Sequence, residues 1–289
     1  MLHIRAFVIA LLLVLGVFVS STSLGQSSGS QDNPANQCTG KNPFAYDNGP
    51  VGQSTWCGEC NTGATRQAPI NVPSNTPESD QPRLQFSGYL THAPLVIYDN
   101  PYNLKINYQR GEGMLVIGND PNTREMFKLV EFHFHRPSEE SIDNHRFPMV
   151  LHLVHLKVSI KEDPKEECSI GKPGCAVVVA ILIELGIPTK KTTDLLNILF
   201  KNFPPPSGER TGVRITTEGL LPPGYENAGY YRYDGSLTTP PCTENVTFYL
   251  LKPRLKFSAE QLAQFERRYP SPNARDVQPL NTRDIKNRR

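Results

Sequence analysis

The chain has 289 residues, enough for one large domain or two small ones and for a sizeable core. Its formal charge of +2 gives no electrostatic case for nucleic acid, and no run of like charges marks a binding tail. Twenty-six prolines and few long helical patterns favour a β-rich domain with many turns.

The first residues read MLHIRAFVIALLLVLGVFVSSTSLGQ. Arg5 gives a short basic start, an apolar run extends from Ala6 to Val19, and small residues follow at Ser20, Ser21, Ser23 and Gly25. This is the layout of a secretory signal peptide over residues 1–25, with cleavage expected between Ser21 and Gln26. The apolar run is shorter than the ~20 residues of a spanning helix. No second apolar run occurs, and the terminal DIKNRR is polar, so no anchor is expected after cleavage. The expected location is secreted or periplasmic. Residues 26–42 are a Ser/Asn/Gly-rich lead-in, and 43–285 read as one domain without linker or repeat.

Period-2 or continuous apolar runs predict strands at about 103–109, 113–118, 128–136, 149–160, 175–186 and 245–252. Two helices are expected. TTDLLNILFKNF ends before Pro204, and SAEQLAQFERRY carries a Ser258/Gln261 capping box and ends before Pro270. The expected fold is mainly β (α+β): a large, mostly antiparallel sheet with short peripheral helices.

The six cysteines are Cys38, Cys57, Cys60, Cys168, Cys175 and Cys242. An even number behind an export signal points to disulfides, although six cysteines allow 15 pairings. Cys57 and Cys60 form a CxxC, but without a second such motif a four-thiolate zinc site is not expected. The turn in ECSIGKPGC makes a local Cys168–Cys175 bridge plausible.

The chemistry concentrates in EFHFHRPSEES. Residues i and i+2 of a strand point the same way, so His133 and His135 share a face while Phe132 and Phe134 point to the other. The next strand carries His152 in VLHLVHL, and antiparallel pairing would bring three imidazoles together. Three neutral nitrogens with a fourth position left for water describe a catalytic zinc site. His155, three residues beyond His152, faces the opposite side and reads as a hydrogen-bonded core histidine. Zinc lowers the pKa of its water to about 7 and so makes hydroxide at neutral pH. Ionised Glu139 accepts hydrogen bonds only. A threonine that gives Glu139 its proton must then accept from the hydroxide, which aims it. Thr238 in GSLTTPPC is the candidate.

FHFHRPSEES…FPMVLHLVH, YRYDGSLTTPPC, RQAPINV and NARDVQPLNTR together resemble an α-class carbonic anhydrase of the secreted or bacterial branch, from about Tyr46 to Arg283. The resemblance implies a twisted sheet of roughly ten strands around a conical cavity, and zinc-dependent reversible hydration of carbon dioxide to bicarbonate and a proton. It implies His133, His135 and His152 as zinc ligands, with Thr238 and Glu139 orienting the hydroxide. Thr238 and Thr239 would contact substrate, and Val154, Val178, Leu237 and Val246 would form the apolar pocket, with Phe248 where the family usually has Trp. Tyr46 and Tyr233 match cavity tyrosines, and Asn273 with Arg275 a supporting polar pair. Cys242 matches one half of a disulfide whose partner would be Cys60, or else Cys57. Sulfonamide-type inhibitors are expected to bind.

The chain departs from the family's pattern. Val150 stands where a glutamate normally supports the third zinc histidine, and Glu131 stands where the first histidine usually has a glutamine neighbour. The carboxylate that supports a metal histidine is therefore expected to have moved from the His152 side to the His133 side. Tyr102 replaces the proton-shuttle histidine; a phenol with a pKa near 10 relays protons poorly at pH 7. Proton transfer should then be slow, leaving His92 and His145 as the free histidines. Lys105 and Glu140 replace a cavity glutamine and a histidine, and are expected to alter cavity charge. The alternative to an enzyme is a non-catalytic or weakly active binding protein whose zinc site Val150 has impaired.

Overall fold

The strand Met149–Lys157 alternates strictly, and that alternation sets the architecture. Met149, Leu151 and Leu153 enter one hydrophobic core, while Val150 and Val154 enter a second on the opposite side of the sheet. The neighbouring strand Ala176–Leu185 alternates in step, with Val177, Val179, Ile181 and Ile183 on the first side and Ala176, Val178, Ala180 and Leu182 on the second. Fully burying each such Val, Leu, Ile or Met side chain is worth ~1.5–3 kcal/mol. A one-residue slip would turn every one of them to the wrong face. The register is therefore fixed by packing.

The computed structural model describes residues 38, 44–47, 49–99, 103–108, 111–158 and 168–289. The expected signal peptide, nearly all of the lead-in and Tyr102 lie outside the described residues. In chain order the strands are β1 (Asn71–Val72), β2 (Leu84–Ser87), β3 (Ala93–Asp99), β4 (Leu104–Asn107), β5 (Met114–Ile117), β6 (Glu125–His135) and β7 (Ser141–Ile142). They continue as β8 (His145–Arg146), β9 (Met149–Lys157), β10 (Ala176–Leu185), β11 (Glu209–Ile215), β12 (Tyr230–Ser236), β13 (Glu244–Phe257) and β14 (Lys286–Arg288). The helices are α1 (Lys190–Lys201) and α2 (Ala259–Arg268).

Eleven strands form one mixed sheet, ordered β11-β3-β4-β6-β9-β10-β13-β12-β14, with β5 also on β6 and β2 on β5. Only the β10–β13 pair is parallel within this sheet. The six strands expected from sequence are all present. β2, β3, β11, β12 and β14 were not expected, and neither were the short strands β1, β7 and β8. Thr189 caps α1 by accepting from the Thr192 amide. At α2 the capping box is complete, with Ser258 bonded to the Gln261 amide and the Gln261 side chain to the Ser258 amide. Both helices cover the first core through Leu195, Leu196, Leu199 and Phe265.

A bulge in β6, between Leu129 and Glu131, keeps Leu129 and Phe132 on the same side although they are three apart. It returns Glu131, His133 and His135 to the face opposite the first core. Three disulfides are present: Cys38–Cys57, Cys60–Cys242 and Cys168–Cys175. The second is the pairing implied by resemblance, and the third is the local bridge suggested by its turn.

Candidate metal centre

His133 lies directly opposite His152 in the β6–β9 ladder. His135 lies two residues along β6, and its ring centroid is 4.9 Å from that of His133 and 5.0 Å from that of His152. One nitrogen from each ring falls in a group whose members are all within 4.8 Å of one another. The other nitrogen of each ring has a partner. His133 Nδ1 donates to Glu131 Oε2 at 2.9 Å, His135 Nδ1 to the Asn273 carbonyl at 2.7 Å, and His152 Nε2 to Glu140 Oε2 at 3.2 Å.

The remaining nitrogens are then acceptors turned toward a common point. His135 Nε2 is buried with no hydrogen-bond partner, as is Glu139 Oε2, 3.4 Å away. Burial, reinforced by the neighbouring His133 and His152, pushes the His135 pKa well below its ordinary value. A buried imidazole held neutral, with an orphaned lone pair, is the state in which histidine takes a metal. The donor set of three imidazoles fits zinc.

Glu139 is fully buried behind the cluster. Its Oε1 accepts from the Arg275 amide at 2.9 Å. Burial pushes its pKa up to about 7, against the pull of His152, the Arg275 amide and the hydroxyl of Thr238. Thr238 and Thr239 both face the cavity. Their loop is clamped from outside: the Glu59 amide donates to the Pro241 carbonyl at 2.7 Å, and Cys242 is bridged to Cys60. Gly58, at φ 77°, makes this approach possible, because a Cβ there would lie 2.4 Å from the Pro241 carbonyl oxygen.

Asn273 and Arg275 pin a second segment beneath the site. The Asn273 side chain accepts from the Arg136 amide and donates to the Phe134 carbonyl. The buried Arg275 guanidinium donates to Gln67 Oε1 and to the Ala68 and Cys60 carbonyls. Asn273 thus meets His135 through its backbone carbonyl.

The three histidines stand in a cavity of about 340 Å³. Val154, Val178, Leu237 and Phe248 form an apolar wall, and Tyr46, Lys105 and Glu131 line other parts of it. Three expectations need correction. Val246 is buried in the second core opposite Ala176 and does not line the cavity. Tyr233 is also fully buried; its ring stacks on Phe248 at 4.9 Å and its hydroxyl donates to Glu140 Oε1. Glu140 does not set cavity charge, because it is fully buried and bonded to His152. Phe44, Asn103, Ile170 and Ser236 line the cavity without having been singled out in the sequence. Neither His92 nor His145 lines it, so among the described residues the only cavity histidines are the three of the cluster.

The family profile described as eukaryotic-type carbonic anhydrase matches residues 51–289. The chain belongs to the α-carbonic anhydrase family. A carbonic anhydrase of Neisseria gonorrhoeae is 32% identical over 229 residues, covering 78% of each chain. The α-carbonic anhydrase of Thermovibrio ammonificans, solved with the inhibitor sulfanilamide, superposes with a TM-score of 0.69 at 29% identity, over 84% of this chain and 98% of the other. Carbonic anhydrase Cah3 of Chlamydomonas reinhardtii, solved with acetazolamide, gives 0.67 at 28% identity, over 84% and 99%. Members of this family catalyse carbon dioxide hydration, and the three-histidine group is present in this chain.

Proposed function

We propose that this chain binds zinc through His133, His135 and His152 and hydrates carbon dioxide reversibly to bicarbonate and a proton. The observation that carries this reading is the division of labour in the three rings: one nitrogen each is held by a protein acceptor, and the other is left for a metal. Zinc there would lower the pKa of water from 15.7 to about 7 and supply the nucleophile.

The chain's own residues do the rest. Thr238 has one hydroxyl proton, and Glu139 in its ionised form can only accept it. Thr238 therefore presents a lone pair to the cavity and fixes the direction of the attacking oxygen's own O–H bond. The contact is expected to tighten once the site is loaded. Val154, Val178, Leu237 and Phe248 offer no hydrogen bond and so favour an apolar, linear substrate over water beside the reacting centre. The same cavity would admit sulfonamides of the kind found in the related structures.

No fourth histidine lines the cavity among the described residues, so the proton is expected to leave through water and buffer. Turnover should rise with imidazole concentration; equal rates with and without buffer would contradict this. Export is proposed from the N-terminal pattern and from three disulfides, which persist in oxidising compartments. No helix among the described residues is long and apolar enough to cross a membrane.

Metal analysis of the purified chain with a stopped-flow hydration assay tests the reading. One zinc per chain and acetazolamide-sensitive hydration are expected. A zinc-loaded chain that does not hydrate carbon dioxide would overturn the catalytic reading.

A further inference from the structure

We infer that Glu140 is the positioning residue of the third metal histidine, and that it acts as a carboxylate relay between Tyr233 and His152. The inference rests on the zinc reading above. His152 reaches the site from β9, and the side chain two residues before it on the same face is Val150, which is fully buried and has no acceptor to offer. The ring nitrogen that faces away from the metal point would be a buried N–H without a partner, which is destabilising. The partner comes from outside the strand. Glu140 Oε2 lies 3.2 Å from His152 Nε2, across 12 residues of chain, and neither side chain is more than 2% exposed.

A carboxylate placed there is useful only if it is itself held. Its other oxygen, Oε1, accepts from the Tyr233 hydroxyl at 3.2 Å. The backbone beneath it is fixed by Ser138, whose hydroxyl donates to the Glu140 carbonyl at 2.7 Å and accepts from the Phe147 amide at 2.9 Å. Tyr233 is locked in turn by its stack on Phe248, part of the apolar cavity wall. The adjacent acids Glu139 and Glu140 therefore divide between two tasks. Glu139 faces Thr238 and the Arg275 amide, and Glu140 faces His152 and Tyr233.

This arrangement makes Val150 compatible with an intact site, and so removes the ground for a chain impaired by that residue. It also gives the centre two carboxylate-held histidines, His133 through Glu131 and His152 through Glu140. Partners of this kind fix ring orientation and tautomer, and losing one costs ~10–100-fold in metal affinity or activity.

The test is the zinc dissociation rate, read as transfer from the loaded protein to a chromogenic chelator. Glu140→Ala should release zinc ~10–100-fold faster than the parent. Tyr233→Phe should accelerate release by a smaller factor, because Glu140 is loosened but present. Adding Val150→Glu to Glu140→Ala should slow release again by supplying a carboxylate from the strand itself. A merely structural role for Glu140 would not respond to that second substitution. If Glu140→Ala does not fold, the near-isosteric Glu140→Gln removes the charge and leaves a single acceptor oxygen for the two donors His152 and Tyr233, and should still accelerate release several-fold. A parent that holds zinc, with a folded Glu140→Ala or Glu140→Gln variant releasing it at the parental rate, would overturn the Glu140 assignment alone. A parent that holds no zinc would overturn the zinc reading and this assignment together.

Discussion

Strand β9 carries a histidine on each face, three residues apart. His152 and His155 are both buried, so burial does not separate a ligand from a core residue. The difference lies in their hydrogen bonds. His155 is boxed on both nitrogens: Nε2 pairs with the Tyr89 hydroxyl at 2.7 Å and Nδ1 with the Leu153 carbonyl at 3.0 Å. Nothing is left over for a metal, and burial pushes its pKa down to about 4. His152 has one nitrogen bound to Glu140 and the other turned toward His133 and His135. Burial lowers its pKa, but the Glu140 carboxylate together with Glu139 and Glu131 outweighs this and raises it overall. A ring nitrogen turned toward two other histidines, rather than boxed by a partner, marks the metal side of the strand.

The contrast can be broken most forcefully at His152. His152→Ala should abolish zinc retention and lower hydration by about 1,000-fold or more, since the acidified water is lost. His155→Gln should keep both. Metal analysis and hydration assays of the two variants check this. Equal effects would erase the distinction between the two faces.

Acid stability sharpens the comparison from the other side. The folded His155 ring resists protonation down to about 4, whereas the unfolded ring takes its proton near 6.5. Its contribution is thus fully present above pH 6.5 and is lost as pH falls toward 4. The span amounts to roughly 3 kcal/mol. Denaturant unfolding between these pH values should show a shallower loss in His155→Gln than in the parent.

At Thr238, replacement by Ala leaves the three histidines untouched but frees the attacking oxygen to misorient. A drop of about 100-fold in kcat/KM with unchanged zinc content is expected. An equal drop in zinc content would instead make Thr238 a structural support. The smallest effect belongs to Glu131→Gln. The amide oxygen can still accept from His133, so zinc release should quicken by at most ~10-fold.

The metal side was legible because period 2 is local. FHFH and HLVH each declare a face, and pairing two neighbouring strands needs only the connecting loop. The capping box of α2 was equally local. What escaped notice is either polar by sequence or distant along the chain. β3 carries Pro94, which argues against a strand, and β11 reads ERTGVRI with a bulge eased by Gly212 at φ 77°. Asn273 meets His135 through a backbone carbonyl, which any residue supplies and no side chain announces. Glu140 reaches His152 by loop geometry, and the sequence shows only two adjacent acids without saying which way each turns. Val246 has the right character for a cavity wall and shares a core with Val154, Val178 and Phe248, but does not itself line the cavity. Residue type set its chemistry, and strand register set its place.

The most direct test is a zinc titration into chelator-stripped protein, with carbon dioxide hydration followed at each addition. Activity should be absent at the start, rise in proportion to zinc, and level off at one equivalent per chain. Hydration that survives stripping, or that stays absent once zinc is in excess, would contradict the account.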